Sequence, residues 1–231
     1  MSAHSTDLND FDHTIGRASG SVANARSGSR RFYSGFLKRF MDVAFVLAAA
    51  PFWMPIVLVA ALLIARDGHN PFYSQSRIGR NGNLFRIWKL RSMVVDAEER
   101  LEAHLAADPV AREEWESTQK LKDDPRITRT GRVIRKTSLD ELPQLWNVLT
   151  GDMSLVGPRP MMISQRGLYH GESYFELRPG LTGFWQISDR NECRFSDRAR
   201  FDEAYHRSLS LQTDMVVLAR TVAVVVRGTG Y

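Results

Sequence analysis

The most distinctive pattern along the chain is an uninterrupted run of apolar residues near its N-terminus. Positions 43–65 read VAFVLAAAPFWMPIVLVAALLIA and hold 23 residues without a charge. A helix of that length extends about 34 Å, enough to cross a bilayer core of roughly 30 Å. A cleaved signal peptide is a poor match, because the run continues fifteen residues beyond Ala50. A buried core helix would need protein on every side, so the pattern favours insertion into a membrane.

Two prolines divide this run and leave two topologies open, a kinked spanning helix and a hairpin that returns to its starting side. Pro51 and Pro55 each remove a backbone donor near the middle of the run. The basic residues at the two flanks are Lys38 and Arg39 before the run, and Arg66, Arg77 and Arg80 after it. Because basic flanks stay in the cytoplasm, the pattern favours a re-entrant segment over 35–66.

The rest of the chain predicts a mixed α/β, mostly helical body with short strands. Polar residues over 1–34 predict a disordered tail, and 67–231 form a cytoplasmic domain. The predicted elements are strands at Phe72–Tyr73 and Phe85–Leu90, acidic helices at Val94–Ala107 and Val110–Leu121, and an apolar-rich segment at Leu209–Val226. That last segment carries Asp214 and Arg220, so it predicts either a helix lying in the membrane interface or an ordinary terminal helix.

The amino-acid composition and the distribution of charge restrict the classes of fold and of partner that this chain can have. With 231 residues and 43% hydrophobic residues, the chain can bury a core, and its one cysteine, Cys193, excludes a disulfide framework and a four-cysteine zinc site. The stretch 96–124 holds ten acidic and four basic residues, so the rest carries 27 basic against 16 acidic. A surface that basic predicts a polyanionic partner: nucleic acid, anionic lipid or a phosphorylated substrate.

A basic run precedes two adjacent acids in the second half of the chain. Its arginines recur at every third position, at Arg126, Arg129, Arg132 and Arg135. At helical spacing, several of these guanidiniums share one side of the element. Such a run is usually a solvated face, but here the two acids lie only a few residues beyond it.

Those acids, Asp140 and Glu141, lie in a stretch that fits two different helix starts. Ser138 and Glu141 form the Ser-x-x-Glu capping-box pattern, which would make Glu141 a structural acid. A helix that begins at Asp140 instead keeps Pro143 in its first turn, where proline is tolerated. Asp140 would then face unpaired amides beside Arg135, an arrangement that favours an ionised carboxylate and an approaching phosphate.

Two stiff loops carry further arginines. Arg159 lies between Pro158 and Pro160 after Gly157, and a fixed arginine of this kind suits bidentate phosphate contact. A second loop, over 178–186, begins with Arg178 and also contains glycines. It predicts either a turn that packs Trp185 into the core or a second wall of a substrate pocket.

These motifs together resemble the bacterial sugar transferases, the monotopic phosphoglycosyl transferases that start exopolysaccharide, capsule and O-antigen assembly. The matching stretches are Arg39–Asp42, Ser138–Leu145 through Asn147, Gly151–Ser154, Val156–Pro160, Arg178–Gly183 and Trp185–Ser188. The resemblance runs from Arg39 to the C-terminus. In length and in its Arg-Gly-x-Gly-Tyr ending, the chain is most similar to exopolysaccharide-type undecaprenyl-phosphate galactose phosphotransferases.

The resemblance implies a two-step reaction at the cytoplasmic face of the bacterial inner membrane. Asp140 attacks the sugar-bearing phosphate of a UDP-sugar and releases UMP, and polyprenyl phosphate then takes the phosphosugar from the enzyme. Glu141 is implied as a ligand of Mg²⁺. The implied phosphate-binding residues are Arg135 and Arg159, with Lys89 and Arg91 as weaker candidates. The membrane segment is implied to be re-entrant and broken near Ala50–Pro51.

Three further points stay open from the sequence. Members of the family commonly read Ser-Gly-Arg-Asn where this chain has Asp189 before Arg190, which bears on the sugar pocket assigned to Arg178 and Arg190. The competing functions are a non-catalytic scaffold on anionic lipid and a transferase that moves sugar without phosphate. No nucleic-acid module is apparent, so nucleic acid is not expected as a partner. A second copy of the chain, as a homodimer, is a partner to consider.

Overall fold

The computed structural model describes residues 33–118, 121–188 and 195–226, and this part of the chain is mostly helical with two small sheets. The helices are α1 (Lys38–Ala65), α2 (Ala97–Ala107), α3 (Pro109–Thr118), α4 (Arg129–Lys136), α5 (Gln144–Thr150), α6 (Ser173–Glu176), α7 (Phe184–Ile187), α8 (Arg198–Ser208) and α9 (Leu211–Val226). The strands are β1 (Phe72–Ile78), β2 (Leu84–Leu90), β3 (Ser154–Val156), β4 (Met161–Met162) and β5 (Gly180–Thr182). The mixed, mostly helical fold is therefore confirmed.

The apolar run forms one continuous helix. A π-helical turn over Tyr33–Leu37 leads into α1, which passes through Pro51 and Pro55 without an interruption. The predicted break at Ala50–Pro51 is therefore not a gap in the helix. Among the described residues, Tyr33–Ala65 is the one segment that is long and apolar enough to cross a membrane by length and composition.

Both halves of α1 contact the same body. In the first half, Asp42 accepts hydrogen bonds from the Ser154 hydroxyl (2.7 Å) and the Leu155 amide (3.1 Å). In the second half, Val57, Ala60, Ala61 and Ile64 pack in one cluster with Leu90 of β2 and Ile134 of α4. The outer face of α1 is exposed. Its apolar side chains are each at least half exposed, at Phe40, Phe45, Phe52, Leu58 and Leu62.

A hairpin and a short third strand form the larger sheet. β1 and β2 pair antiparallel from Phe72 opposite Leu90 to Ile78 opposite Leu84, and β4 joins the other edge of β1. The turn takes positive φ at Asn81 (58°) and Gly82 (78°), a conformation that these residue types adopt most readily. The strands predicted at 72–73 and 85–90 are thus the two arms of one hairpin.

The acidic stretch forms two helices, as predicted, and Asp108 separates them. Its carboxylate accepts hydrogen bonds from the amides of Val110 (2.9 Å) and Ala111 (3.1 Å), which caps α3. The last described residue of α3 is Thr118, three residues before the predicted end at Leu121.

The C-terminal helix α9 is an ordinary packed helix on one side. Its Asp214 is buried and accepts hydrogen bonds from the hydroxyls of Tyr33 (2.6 Å) and Tyr205 (2.7 Å) and from Lys38. Val217 lies in the main core, whereas Met215, Val216 and Val222 remain exposed. The charge of Asp214 made this segment a poor candidate for a membrane-spanning helix. In the structure, Asp214 links α9 to the beginning of α1 through its contacts with Tyr33 and Lys38.

Candidate active site

The two adjacent acids lie on a short 3₁₀ turn rather than at the start of an α-helix. The turn covers Leu139–Glu141, and α5 begins only at Gln144, with Pro143 as its N-cap. Ser138 adopts a left-handed conformation (φ 56°) and makes no side-chain capping bond. Both helix starts considered from the sequence are therefore wrong, and Glu141 is not engaged as a capping acid.

Apolar contacts fix this turn against the membrane helix. Leu139 and Leu142, which flank the acids, pack on the cluster formed by the second half of α1 with Leu90 and Ile134. The guanidinium of Arg39 donates to the carbonyls of Val148 and Leu149 (2.7 Å) at the end of α5. The acids are thus held by elements that α1 contacts directly.

Asp140 is buried and surrounded by cations. Only 9% of the residue is exposed, and this burial raises the pKa of its carboxyl above the ordinary value. Lys89, Arg135 and Arg159 act in the opposite direction, whereas Glu141 adds to the rise. The result is a carboxylate of raised basicity that faces three positive charges, which suits a nucleophile for an anionic phosphate ester.

Glu141 connects two of these cations. Its Oε1 accepts a hydrogen bond from Lys89 Nζ at 2.8 Å and lies 3.5 Å from an Arg159 guanidinium nitrogen. Lys89 is positioned by β2, and Asn147 holds that strand by accepting from the Trp88 amide (3.1 Å) and donating to the Arg86 carbonyl (2.7 Å). The Asn147 of the sequence motif is therefore a support for the Lys89 strand.

Arg159 depends on the close packing of its two glycine loops. β3 and β5 pair in parallel, with Ser154 opposite Gly180. A Cβ on Gly157 would lie 2.3 Å from the Arg178 carbonyl oxygen, and one on Gly180 would lie 2.1 Å from the Gly157 amide. Only glycine allows this approach, which fixes the backbone that carries Arg159.

The remaining candidate residues are placed elsewhere or outside the described residues. Arg91 binds Asp67 (2.6 Å) and the Asn70 carbonyl (2.8 Å), which ties the end of β2 to the loop after α1. The Arg178 Nε donates to the Gly151 carbonyl at 3.0 Å. Arg190, with Asp189, lies outside the described residues. The pocket role assigned to Arg178 and Arg190 stays a prediction.

The predicted arginine face is divided in the structure. Arg129, Arg132 and Arg135 lie on α4, whose N-cap is Thr128. Arg126 lies before the helix, bonded to Asp124 (2.6 Å) and stacked 5.1 Å over the Trp115 ring. Of the four, Arg135 is among the largest electrostatic influences on Asp140.

Sequence reasoning missed two arginines, Arg77 and Arg198, whose charges interact with that of Arg159. Burial lowers the pKa of Arg77 to about 10 and that of Arg198 to about 9, and the charge of Arg159 contributes to both shifts. Arg77 is on the same strand face as Tyr73, the partner of Lys89 in the hairpin, so the strand alternation could have indicated it. No local motif marks Arg198.

The carboxylates fit a Mg²⁺ ion only together with a substrate. Among the described residues, no group of three or more histidine, cysteine, aspartate or glutamate side chains could hold a metal. Mg²⁺ is nevertheless commonly bound by one or two carboxylates plus substrate phosphates. Asp140 and Glu141 meet that smaller requirement when a diphosphate supplies the other ligands.

The comparison with protein families assigns the chain to one family. The family model for bacterial sugar transferases matches residues 33–228, which include α1, the acidic turn and both glycine loops. The chain therefore belongs to the bacterial sugar transferase family, as the motifs predict.

Several relatives align over most of the chain. A UDP-galactose-lipid carrier transferase from Erwinia amylovora is 47% identical over 199 residues, which are 85% of this chain and 42% of that relative. An undecaprenyl-phosphate galactose phosphotransferase from Salmonella typhimurium is 46% identical over 199 residues, with the same coverage. The exopolysaccharide production protein ExoY from Sinorhizobium fredii is 42% identical over 207 residues, 88% of this chain and 92% of that protein. The chain thus spans about two fifths of the first two relatives.

Proposed function

We propose that this protein transfers a sugar phosphate from a UDP-sugar to polyprenyl phosphate in exopolysaccharide synthesis. The observation that carries the proposal is the buried Asp140 carboxylate, which faces Lys89, Arg135 and Arg159 on a turn packed against the apolar helix α1. A water-soluble donor and a lipid acceptor can meet at such a place. The names of relatives from Salmonella typhimurium and Erwinia amylovora support this substrate class, with galactose as the first sugar to test.

The chemistry proposed for Asp140 is a double displacement. An Asp140 oxygen forms a bond to the sugar-bearing phosphorus while the bond from that phosphorus to the bridging oxygen breaks, and UMP leaves with the electron pair. An oxygen of polyprenyl phosphate then attacks the same phosphorus. The bond to Asp140 breaks, the carboxylate is restored, and a polyprenyl diphosphate sugar leaves.

The cations and Glu141 serve charge neutralisation in this proposal. Lys89, Arg135 and Arg159 lower the cost of bringing a diphosphate beside a carboxylate. A Mg²⁺ ion held by Glu141 and the substrate would neutralise further negative charge on the phosphates. The Lys89 contact of Glu141 orients this carboxylate before substrate binds.

The topology proposed is monotopic, with the active site at the cytoplasmic face of the inner membrane. Support comes from the contacts of α1, because Asp42 near one end and Ile64 near the other both bind the same body. A helix that crossed the bilayer away from the body would expose one of these ends. The exposed side chains of Phe52 (74%) and Leu58 (61%) form the face offered to lipid.

The decisive experiment identifies the nucleotide that is released. Purified protein in lipid nanodiscs is incubated with undecaprenyl phosphate, Mg²⁺ and a panel of UDP-sugars, and UMP and UDP are separated by chromatography. We expect UMP, and a covalent phosphosugar adduct on Asp140 when the acceptor is left out. UDP release would instead indicate a transferase that moves sugar alone, and release of neither nucleotide would favour the lipid-binding scaffold.

A further inference from the structure

The structure brings three arginines, Arg77, Arg159 and Arg198, to one region of the body through the packing of their neighbours in the chain. The charge of Arg159, in its glycine-supported loop, acts on Arg77 of β1 and on Arg198 of α8, and the charge of Arg77 also acts on Arg198. Resting on the proposed function, we infer that Arg77, Arg159 and Arg198 form the subsite for the phosphate of the leaving nucleotide, the phosphate that is not transferred. The ligand class is a nucleoside monophosphate or the corresponding half of a nucleoside diphosphate sugar.

A shared apolar cluster brings the three elements to one place. Ile78, Met161, Tyr169 and Tyr174 are buried together, and Ala199 packs against them. Ile78 follows Arg77, Met161 follows Arg159 by two residues, and Ala199 follows Arg198. The β1–β4 pairing, with Ile78 opposite Met161, fixes the first two relative to one another. The arginines therefore approach because their neighbours form a core, at the cost of mutual repulsion.

Two of these side chains keep unused hydrogen-bonding capacity. The Nε atoms of Arg77 and Arg198 are buried, and neither has a hydrogen-bond partner among the described residues. Buried polar groups are normally paired, so each such donor needs an explanation. The guanidinium of Arg198 lies over two aromatic rings, 4.5 Å from the centroid of Phe195 and 5.1 Å from that of Trp185. A held guanidinium with an open donor edge suits a phosphate oxygen.

The charges of the region favour an anionic ligand. Five cations lie around the acids and the cluster, namely Arg77, Lys89, Arg135, Arg159 and Arg198, and they outnumber the carboxylates of Asp140, Glu141 and Asp202. The diphosphate of a nucleotide sugar carries negative charge that this excess would attract.

The cations that act on Asp140 differ from those that act on Arg198, and this difference indicates which phosphate lies near Arg77 and Arg198. Asp140 is influenced by Lys89, Arg135 and Arg159, whereas Arg198 is influenced by Arg159 and Arg77. Arg159 is thus common to both sets, whereas Arg198 is not among the largest influences on Asp140, and Arg77 interacts with Glu141 as well. Attack on phosphorus proceeds with the nucleophile and the leaving oxygen roughly in line. A phosphate that Asp140 attacks beside Arg159 therefore releases its nucleotide towards Arg77 and Arg198.

The position along the hairpin argues against an acyl-chain site. The second half of α1 packs on Leu90, which is paired with Phe72 at one end of the hairpin. Arg77 lies five residues further along β1, about 16 Å away at the usual strand rise. The subsite is therefore at the end of the hairpin that is remote from the second half of α1, against which the turn of the two acids packs.

The test measures UMP binding directly, without turnover. UMP is titrated calorimetrically into the 231-residue protein in nanodiscs, for the wild type, Arg77→Gln and Arg198→Gln. Each variant should weaken UMP binding roughly ten- to hundredfold, the expected effect of losing a charged hydrogen-bond donor. Arg207→Gln is the matched control, because Arg207 lies on the same helix but is exposed and paired with Glu203. It should bind UMP as the wild type does.

The outcomes separate this inference from the proposed function. Unchanged UMP affinity in both variants, or no UMP binding by the wild type, overturns the subsite even if the enzyme transfers sugar phosphate. Weakened UMP binding in the variants supports the subsite even if no transfer is found. If Arg198→Gln does not fold, Arg77→Gln decides, with Arg77→Lys expected to recover part of the affinity. A rise confined to the KM for polyprenyl phosphate, with normal UMP affinity, also overturns the inference.

Discussion

At the residue scale, the properties of Asp140 follow from burial beside cations. Burial alone would raise the pKa of its carboxyl and favour the neutral acid, while Lys89, Arg135 and Arg159 favour the ionised form. Burial is the larger of the two effects, so the carboxyl of Asp140 has a raised pKa, and its ionised form is poorly hydrated and therefore more reactive towards an electrophile. In the proposed reaction, the same cations would supply the counter-charges of the transferred phosphate, so the proposed nucleophile and the substrate site would be one feature.

Replacing Asp140 by asparagine separates this role from a structural one. Asp140→Asn keeps the shape but lacks the anion, so turnover should fall by roughly three orders of magnitude or more. The melting temperature should be retained or should rise, because a buried carboxylate with a raised pKa is removed. Asp96→Asn, which removes an exposed carboxylate paired with Arg100, is the matched control. Activity near that of the wild type in Asp140→Asn would exclude Asp140 as the nucleophile.

The buried carboxyl of Asp202, which interacts with Arg198, should make the stability of the fold depend on pH. Burial raises its pKa to about 7, although Tyr169 donates a 2.9 Å hydrogen bond to it. The folded state therefore binds more protons than the unfolded state between about pH 4 and pH 7, and stability falls as pH rises through that interval, by roughly 1.4 kcal/mol per unit at most.

Asp202→Asn should remove this pH dependence. The amide can still accept from Tyr169 but does not ionise, so the gain in melting temperature over the wild type should be larger at pH 8 than at pH 5. Thermal unfolding of both proteins at several pH values measures the difference. Glu203→Gln, at the exposed neighbouring position on α8, is the control. A gain that is equal at all pH values would contradict the assigned titration.

At the element scale, the site is built from short pieces whose backbones support one another. The Arg159 loop rests on the Arg178–Gly180 segment through contacts that only glycine allows. β2 presents Lys89 and is held by Asn147 of α5, while the 3₁₀ turn presents the acids between α4 and α5. None of these pieces is long enough to be stable alone, so each depends on the packing of the others.

Gly157→Ala tests whether the loop contact fixes Arg159. The added Cβ would lie 2.3 Å from the Arg178 carbonyl oxygen and 2.9 Å from the Gly180 amide, both backbone atoms. The loop must shift, at a cost of about 1–3 kcal/mol in unfolding free energy, and turnover should fall because Arg159 moves. Gly167→Ala is the matched control, since no atom lies within 4 Å of its added Cβ. Equal stability and activity in the two variants would contradict this account.

Sequence patterns predicted those elements whose signals are local. The alternation at 85–90, the turn residues Asn81 and Gly82, and Asp108 between two acidic helices were each sufficient by themselves. The capping-box pattern at Ser138 failed because the left-handed backbone there and the packing of Leu139 and Leu142 override the local preference. Arg77 and Arg198 meet only through a tertiary cluster, which no local pattern encodes.

At the scale of the whole molecule, α1 determines where the chemistry can take place. Its two ends contact one body, its outer face is apolar and exposed, and the acidic turn packs against its second half. These contacts place Asp140, the proposed nucleophile, close to the second half of α1, while Arg77 lies further along the hairpin. A polyprenyl phosphate carries its charge at headgroup depth, so an active site in this position can receive both substrates.

This arrangement predicts that the tail before Lys38 and the body after Arg66 are on the same, cytoplasmic side. Both flanks are basic, and the body contacts both halves of α1, so neither end is free to cross the bilayer. Ser21 in the tail and Ser117 on α3, which is exposed, are replaced by cysteine one at a time in a Cys193→Ser background. Each variant is labelled in intact cells, and again after lysis, with a thiol reagent that does not cross the inner membrane. A cysteine of known periplasmic location in another protein serves as the labelling control.

Protection of both cysteines until lysis is the expected result, because both would face the cytoplasm. Labelling of the Ser21→Cys variant alone in intact cells would mean that α1 spans the membrane, and the contacts of Asp42 with Ser154 and Leu155 would then have to be absent in the bilayer. Labelling of the Ser117→Cys variant in intact cells would place the body outside the cytoplasm. That result would be incompatible with a cytoplasmic UDP-sugar as the donor, because the Asp140 turn belongs to the same body.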